Sequence, residues 1–260
     1  MKRLILSTIA IMASILLSAH TNIVLTGNAF YDSILQEEVK ANWTETPYSF
    51  CTRAEFETLK AESGSFFLIT VLGQYDGEAV PGLDMLSLIR ITEEGTAKDI
   101  VSIPFGRAEE PTGRELTYLP VILTMIQETA KIQLDSRFSS DYNLTRYNYN
   151  LDKAVGYTFY IAEEDLSTQF ALSKNKNKYI SANMIICPAE DIDQVYASGT
   201  ENAIVSYTIS PLNPSSNSYC YKMLIGCKDH KVYMFKKHRI SAKNGKGLLT
   251  EDMKTISAIR

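Results

Sequence analysis

Four cysteines, three histidines and two kinds of dense charged segment are the side chains of this 260-residue chain that invite a chemical reading. Cys51 and Cys187 each close a short apolar run and stand just before a predicted helix start. There a helix dipole would favour the thiolate, and in open α/β sheets the carboxyl ends of strands are where ligands bind. They are the candidates for a nucleophile. Neither has an activating base beside it in sequence, and a small buried residue at a strand-to-helix junction needs no reactivity. Cys220 and Cys227 lie on one predicted strand an odd number of residues apart, so they face opposite sides and cannot pair with each other. A bridge from Cys187 to one of them and a set of buried free thiols are both open readings.

Of the histidines, His20 sits at the end of a leader-like segment, His230 in a predicted turn and His238 at a strand end. No second histidine or carboxylate stands at ligand spacing from His230 or His238, so no metal site is expected and both should be solvated. No G-x-S-x-G, H-E-x-x-H, P-loop or G-x-G-x-x-G motif occurs, and Gly245-Lys246-Gly247 reads as a plain loop, so no cofactor is expected. Carboxylates cluster in Glu109-Glu110-Pro111-Thr112-Gly113-Arg114-Glu115 and again in Glu163-Glu164-Asp165. Such groups serve acid–base or cation roles, or simply compensate helix N-termini, which is the reading adopted. The strongest charge asymmetry is late in the chain. Lys222, Lys228, Lys231, Lys236, Lys237, Arg239, Lys243 and Lys246 face a single acid, Asp229, with Tyr221 and Tyr233 interleaved. Lys222, Lys231, Lys236, Lys237 and Arg239 are the candidate binding residues, suited to an anionic surface such as lipid headgroups, polysaccharide or an acidic partner.

The elements that must position these groups begin after a secretory-type leader. Lys2 and Arg3 precede an apolar stretch from Leu4 to Leu17, and small residues follow at Ser18 and Ala19. The stretch is too short to span a bilayer, so cleavage near His20 and export are expected, leaving no transmembrane segment in the mature chain. A hydrophobic content of 45% with 22% charged residues fits a globular chain with a real core. The net charge of −4 argues against a nucleic-acid partner.

Residues 21–135 and 157–260 read as two copies of one α/β module, joined by a linker over 136–156 that is rich in Asn, Tyr and Ser. A shift of about 136 positions brings residue classes into register without a gap. Ile23-Val24-Leu25 falls on Phe159-Tyr160-Ile161, Tyr48-Ser49-Phe50-Cys51 on Met184-Ile185-Ile186-Cys187, and Leu68-Ile69 on Ile204-Val205. The order β-α-β-α-β-β-β-α predicts a fold of two tandem two- or three-layer α/β modules with mixed sheets, related by internal duplication. The first three strands of each should be parallel through right-handed crossovers, with a closing antiparallel hairpin. In the first copy Phe30 and Ile34 should turn inward from a helix. Thr52 and Glu55 should form a capping box for a helix carrying Phe56 and Leu59 inward, and Phe66 to Leu72 should be a central strand. In the second copy a helix is expected from Glu164 to Tyr179, and Thr250 should cap the last one.

The stretch from Trp43 through Pro47-Tyr48-Ser49-Phe50-Cys51 to Phe56 resembles exported, uncharacterised proteins of Bacteroidota. So do Tyr219-Cys220-Tyr221-Lys222-Met223-Leu224 and Phe235-Lys236-Lys237-His238-Arg239-Ile240. That resemblance implies a periplasmic or surface location. The element order is loosely similar to small α/β modules of periplasmic assembly proteins, such as the curli-secretion lipoprotein and the amino-terminal domain of TolB. The expectation is an exported, non-enzymatic binding or assembly protein of the cell envelope, with a protein or other envelope component as partner. The alternative is a thiol- or carboxylate-dependent hydrolase with a site between the modules.

Overall fold

The structure, a computed structural model, describes residues 20–134, 139–174 and 176–259. The expected leader, apart from His20, and positions 136–138 of the expected linker lie outside them. The first half of the chain supplies β1 (Thr21–Val24), α1 (Ala29–Asn42), β2 (Tyr48–Cys51), α2 (Arg53–Leu59), β3 (Phe66–Gly73), β4 (Leu83–Ile91), β5 (Ala97–Arg107), α3 (Arg114–Thr117), α4 (Leu119–Gln133) and α5 (Ser140–Leu144). The second supplies β6 (Thr158–Ala162), α6 (Thr168–Ala171), β7 (Met184–Cys187), α7 (Ala189–Ala197), β8 (Ala203–Ile209), β9 (Tyr219–Gly226), β10 (Val232–Arg239) and α8 (Thr250–Ser257). The chain divides into two compact units. One holds residues through Val71 with Asp84–Phe105 and Tyr118–Leu144; the other holds Leu72–Leu83, Gly106–Thr117 and everything from Thr145 on. The units are therefore not the simple tandem halves expected, because two segments of the first half belong to the second unit.

Each half builds a five-stranded mixed sheet, in the orders β2-β1-β3-β4-β5 and β7-β6-β8-β9-β10. These are the same order read along the chain. β1 lies parallel to β2 and β3, and β6 parallel to β7 and β8. β9 is antiparallel to both β8 and β10. The central pairing keeps the expected register: Ile23 faces Leu68 and Phe159 faces Ile204, each pair 136 positions apart from the other. The outer pairing does not. Ile23 faces Phe50 whereas Phe159 faces Met184, so the second crossover is two residues shorter and the gapless alignment fails there. An even shift leaves the same strand face inward, which is why the fold absorbs it. It also means that Cys51, opposite Val24, and Cys187, opposite Ala162, do not occupy equivalent places.

Local sequence explains most of the first unit. β3 is a continuous β-branched and aromatic run, and Phe66 to Ile69 are all buried as a strand in mid-sheet requires. Asn28 caps α1 by accepting from the Phe30 and Tyr31 amides at 3.1 and 3.2 Å. The buried face of α1 is Leu35 and Val39, not Phe30, which is 71% exposed. The helix is turned by Asp32, whose buried carboxylate accepts from the Thr26 amide and hydroxyl and the Gly27 amide at 2.7–2.8 Å. That anchor fixes which side of α1 meets the sheet. Thr52 and Glu55 form the expected capping box, and Phe56 and Leu59 pack on the cluster of Val24, Cys51, Phe67 and Ile69. In α4, Leu119, Ile122, Leu123, Ile126 and Ala130 are buried along one stripe at helical spacing.

Three departures concern the second unit. The helix expected from Glu164 to Tyr179 is broken into a 3-10 turn (Glu163–Asp165), α6 and a second 3-10 turn (Lys176–Tyr179). Leu166 is held extended in a bridge with Leu248, whose amide donates to the Asp165 carbonyl at 2.6 Å. Gly247 must be glycine here: its φ is +86°, and a Cβ would lie 2.5 Å from that carbonyl oxygen. The helix restarts only where Ser167 caps α6. Second, the expected linker is not a free connector. After α5, Thr145–Lys153 forms a 3-10 helix that buries Tyr147 and Leu151. Third, Thr250 is the first residue of α8 rather than its cap, and Asp252 accepts the Leu249 amide at 2.9 Å.

Candidate functional site

The alternation of side chains along β9 and β10 divides the candidate basic residues between two opposite faces. Lys236 stands across from Lys222 and His238 across from Cys220, on one face; Lys237 stands across from Tyr221 and Arg239 across from Tyr219, on the other. Lys222 is 3% exposed, with its Nζ 2.5 Å from Asp252, and Lys236 reaches the other oxygen of that carboxylate at 3.8 Å. Lys222 thus belongs to an interior ion pair and is corrected as a binding residue: a buried ammonium needs its partner. Lys231, at the hairpin turn, pairs with Asp229 at 3.3 Å.

The other face is open. Lys237 and Arg239 are exposed, and Nζ of Lys237 lies 5.1 Å from the Tyr219 ring and 5.8 Å from the Tyr221 ring. Tyr75, from the loop between β3 and β4, meets Tyr219 at 5.6 Å between rings, and its hydroxyl is 2.6 Å from that of Tyr221. The Arg239 guanidinium donates to the Ser216 carbonyl at 2.5 Å and to the Asn217 side chain. Ser215 and Asn217 in turn donate to the Asp76 carbonyl at 2.7 and 3.2 Å, and Ser218 donates to Glu78. One cation, Lys237, thereby lies over a tyrosine floor, and a second, Arg239, is held on the same face by a loop that sequence spacing never joined to it.

All four cysteines are free thiols. Cys51 and Cys187 do end β2 and β7 ahead of α2 and α7, but the thiolate favoured by a helix dipole does not follow. Burial pushes the Cys51 thiol up, and the cap carboxylate of Glu55 adds to it. Burial likewise raises Cys187, with Asp191, Glu163 and Glu164 contributing. Burial, with the acids at each helix start adding to it, outweighs any help the helix end would give the thiolate. Burial also raises Cys220 to about 11 and Cys227 to about 12.

His230 is exposed, as expected of a turn residue, whereas His238 is half-buried, which corrects its expected solvation. His230 Nδ1 lies 2.8 Å from the Tyr196 hydroxyl, and His238 Nε2 lies 2.7 Å from the Gly245 carbonyl. Among the described residues no three His, Cys, Asp or Glu side chains converge as a metal site, and no helix is long and apolar enough to cross a membrane.

A second arrangement brings together the two carboxylate clusters of the sequence, which spacing alone did not join. At the carboxyl ends of β6, β7 and β8, within the second unit, a crevice of about 430 Å³ is lined in part by Arg107, Arg114, Glu164, Glu190, Asp193 and Tyr207. Arg114 Nε donates to both oxygens of Asp193 at 3.1 and 3.0 Å, its NH1 lies 3.8 Å from Asp165, and its plane sits 5.4 Å from the Tyr207 ring centroid. Asp165 is fully enclosed. It accepts from the Ser206 hydroxyl at 2.7 Å and from the Thr208 hydroxyl and amide at 2.7 and 3.1 Å. Burial raises its pKa, against the opposing pull of Arg114 and these donors. Glu164 accepts the Ala189 amide at 3.1 Å, so it compensates the start of α7 rather than a helix of its own. Glu115 accepts from Gly113 and Thr112, both at 3.1 Å. The signal was present as a Glu-Glu-Asp run just past a strand, but its partner Arg114 lies 51 positions earlier. Comparison of the chain with family models, with curated proteins and with solved structures finds no match.

Proposed function

We propose that this chain is an exported, non-enzymatic binding protein of the cell envelope, and that it holds an anionic envelope component, rich in carboxylate or phosphate, on the exposed face of the β9–β10 hairpin. The observation that carries this reading is one exposed face on which Lys237 lies over Tyr219 and Tyr221, Tyr75 braces Tyr221, and Arg239 is held by Ser216 and Asn217. Cations already held in place lose little side-chain entropy when an anion arrives, so they bind more strongly than loose surface lysines. The raised thiol pKa values favour this reading over a thiol hydrolase. Export rests on the basic and apolar leader in the sequence.

The test is retention of residues 20–260 on envelope fractions. Lys237→Ala with Arg239→Ala should weaken retention about tenfold, or about 1.4 kcal/mol. Added salt should weaken the wild type in the same direction. Lys231→Ala, which removes an ammonium already paired with Asp229, should change little. Undiminished retention by the double variant would discard the proposal.

A further inference from the structure

We propose that the crevice at the carboxyl ends of β6, β7 and β8 is a second ligand site, built for an organic cation that presents a primary ammonium or guanidinium group. Three parallel strands end there and their loops diverge, which is where open α/β sheets seat ligands. The volume of about 430 Å³ suits a small molecule or one long side chain.

The charge of the walls selects the ligand. Glu115, Glu164, Asp165, Glu190 and Asp193 line the crevice with only Arg107 and Arg114 against them, an excess of three negative charges. Arg114 is set between Asp193 and Asp165. Glu115, Glu164 and Glu190 line the same crevice together with Arg107. Glu115 and Glu164 are held by backbone or hydroxyl donors, which fixes their carboxylates in place without neutralising them. A concave, low-dielectric wall concentrates such a field on whatever enters. The carboxylates are spread around the crevice, and among the described residues no three of them meet as ligands for one metal ion. A cation several atoms long, flanked by Tyr207 and the hydroxyls of Thr112 and Thr208, satisfies the distribution better than a point charge. The same field is felt nearby: after burial, Glu115 is the largest cause raising the Tyr207 hydroxyl, and Asp191, Glu163 and Glu164 raise the Cys187 thiol.

This site is distinct from the hairpin face, so neither proposal depends on the other. The experiment titrates the full mature chain with 1,5-diaminopentane and with the tripeptide amide Gly-Lys-Gly, using pentanol and glutarate as uncharged and anionic controls. Calorimetry and the rate of Cys187 alkylation at fixed pH are read together. Binding of either amine is expected, with modestly faster Cys187 alkylation, because a bound cation offsets Glu164, which adds to the burial that raises the thiol. Tighter binding of the tripeptide would assign the site to a basic side chain of a partner; tighter binding of the diamine would assign it to a free amine. Glu190→Gln should weaken the amine about threefold and Arg107→Gln should strengthen it by a similar factor. Loss of folding cannot produce both signs. Equal binding of pentanol, preference for glutarate, no binding of either amine, or variants that shift affinity the same way would overturn the proposal.

Discussion

The carboxyl ends of the two sheets solve one geometric problem with different chemistry. In the first sheet, past β1 and β3, carboxylate and guanidinium go to separate partners: the Asp32 carboxylate binds back to Thr26 and Gly27, Arg53 donates to the Thr70 carbonyl at 3.1 Å, and the Tyr31 hydroxyl lies 3.2 Å from that of Thr70. In the second, Ser206 occupies in β8 the place Thr70 has in β3, each two residues past the partner of the first strand. There it donates to a carboxylate, Asp165, which is backed by Arg114. The crossovers follow suit. α1 is a regular helix of 14 residues, whereas the second crossover is broken so that Asp165 can turn inward. The strands carry the architecture in both, and the crossovers are free to differ.

Three measurements bear on that contrast. Asp165→Ala strips three donors of their acceptor and removes one of the carboxylates beside Arg114. The second unit should lose about 3–5 kcal/mol, read as a lower urea midpoint. A loss below about 1 kcal/mol would mean that the Asp165 network does not stiffen its end of the second sheet. Tyr31→Phe, in the first unit, removes the hydroxyl contact with Thr70 and should cost about 0.5–1.5 kcal/mol by the same assay. The smallest effect is on pH dependence. Burial lowers the His238 pKa from its ordinary 6.5, with Lys222 adding to the shift and the Gly245 carbonyl opposing it. The neutral ring is the folded form, so its contribution is complete above pH 6.5 and is lost as pH falls through the lowered value. His238→Gln should flatten the acid side of the second unit's stability profile and leave the first unit's unchanged.

What could be read in advance was whatever depends on neighbours in sequence. Apolar runs such as Phe66 to Leu72 gave strands, Thr52 with Glu55 gave a cap, and strand order followed from their spacing. The inward face of α1 was misjudged because Asp32, a polar residue, sets it by binding back to Thr26 and Gly27. Asn-rich residues 145–153 looked like a connector because their burial depends on β10, more than 80 positions away. The basic hairpin was legible as composition but not as two faces, since one of them is quenched by Asp252 from α8. The crevice was invisible for the same reason: Arg114, Asp165 and Asp193 are brought together only by the fold.

The 3-10 helix at Thr145–Lys153 has one more consequence. β10 is the last strand of its sheet, and such a border is a template onto which another extended chain can zip. Here Asn148 takes the Phe235 amide at 3.0 Å, and Asn150 donates to the Val232 carbonyl at 2.9 Å. The apolar half of the border is thus already occupied by the protein's own side chains, and the remaining half is Lys236-Lys237-His238-Arg239, whose charge repels a second copy. Crowded copies of this protein should stay apart along that margin, and cutting the Asn148 and Asn150 contacts would open it to self-association.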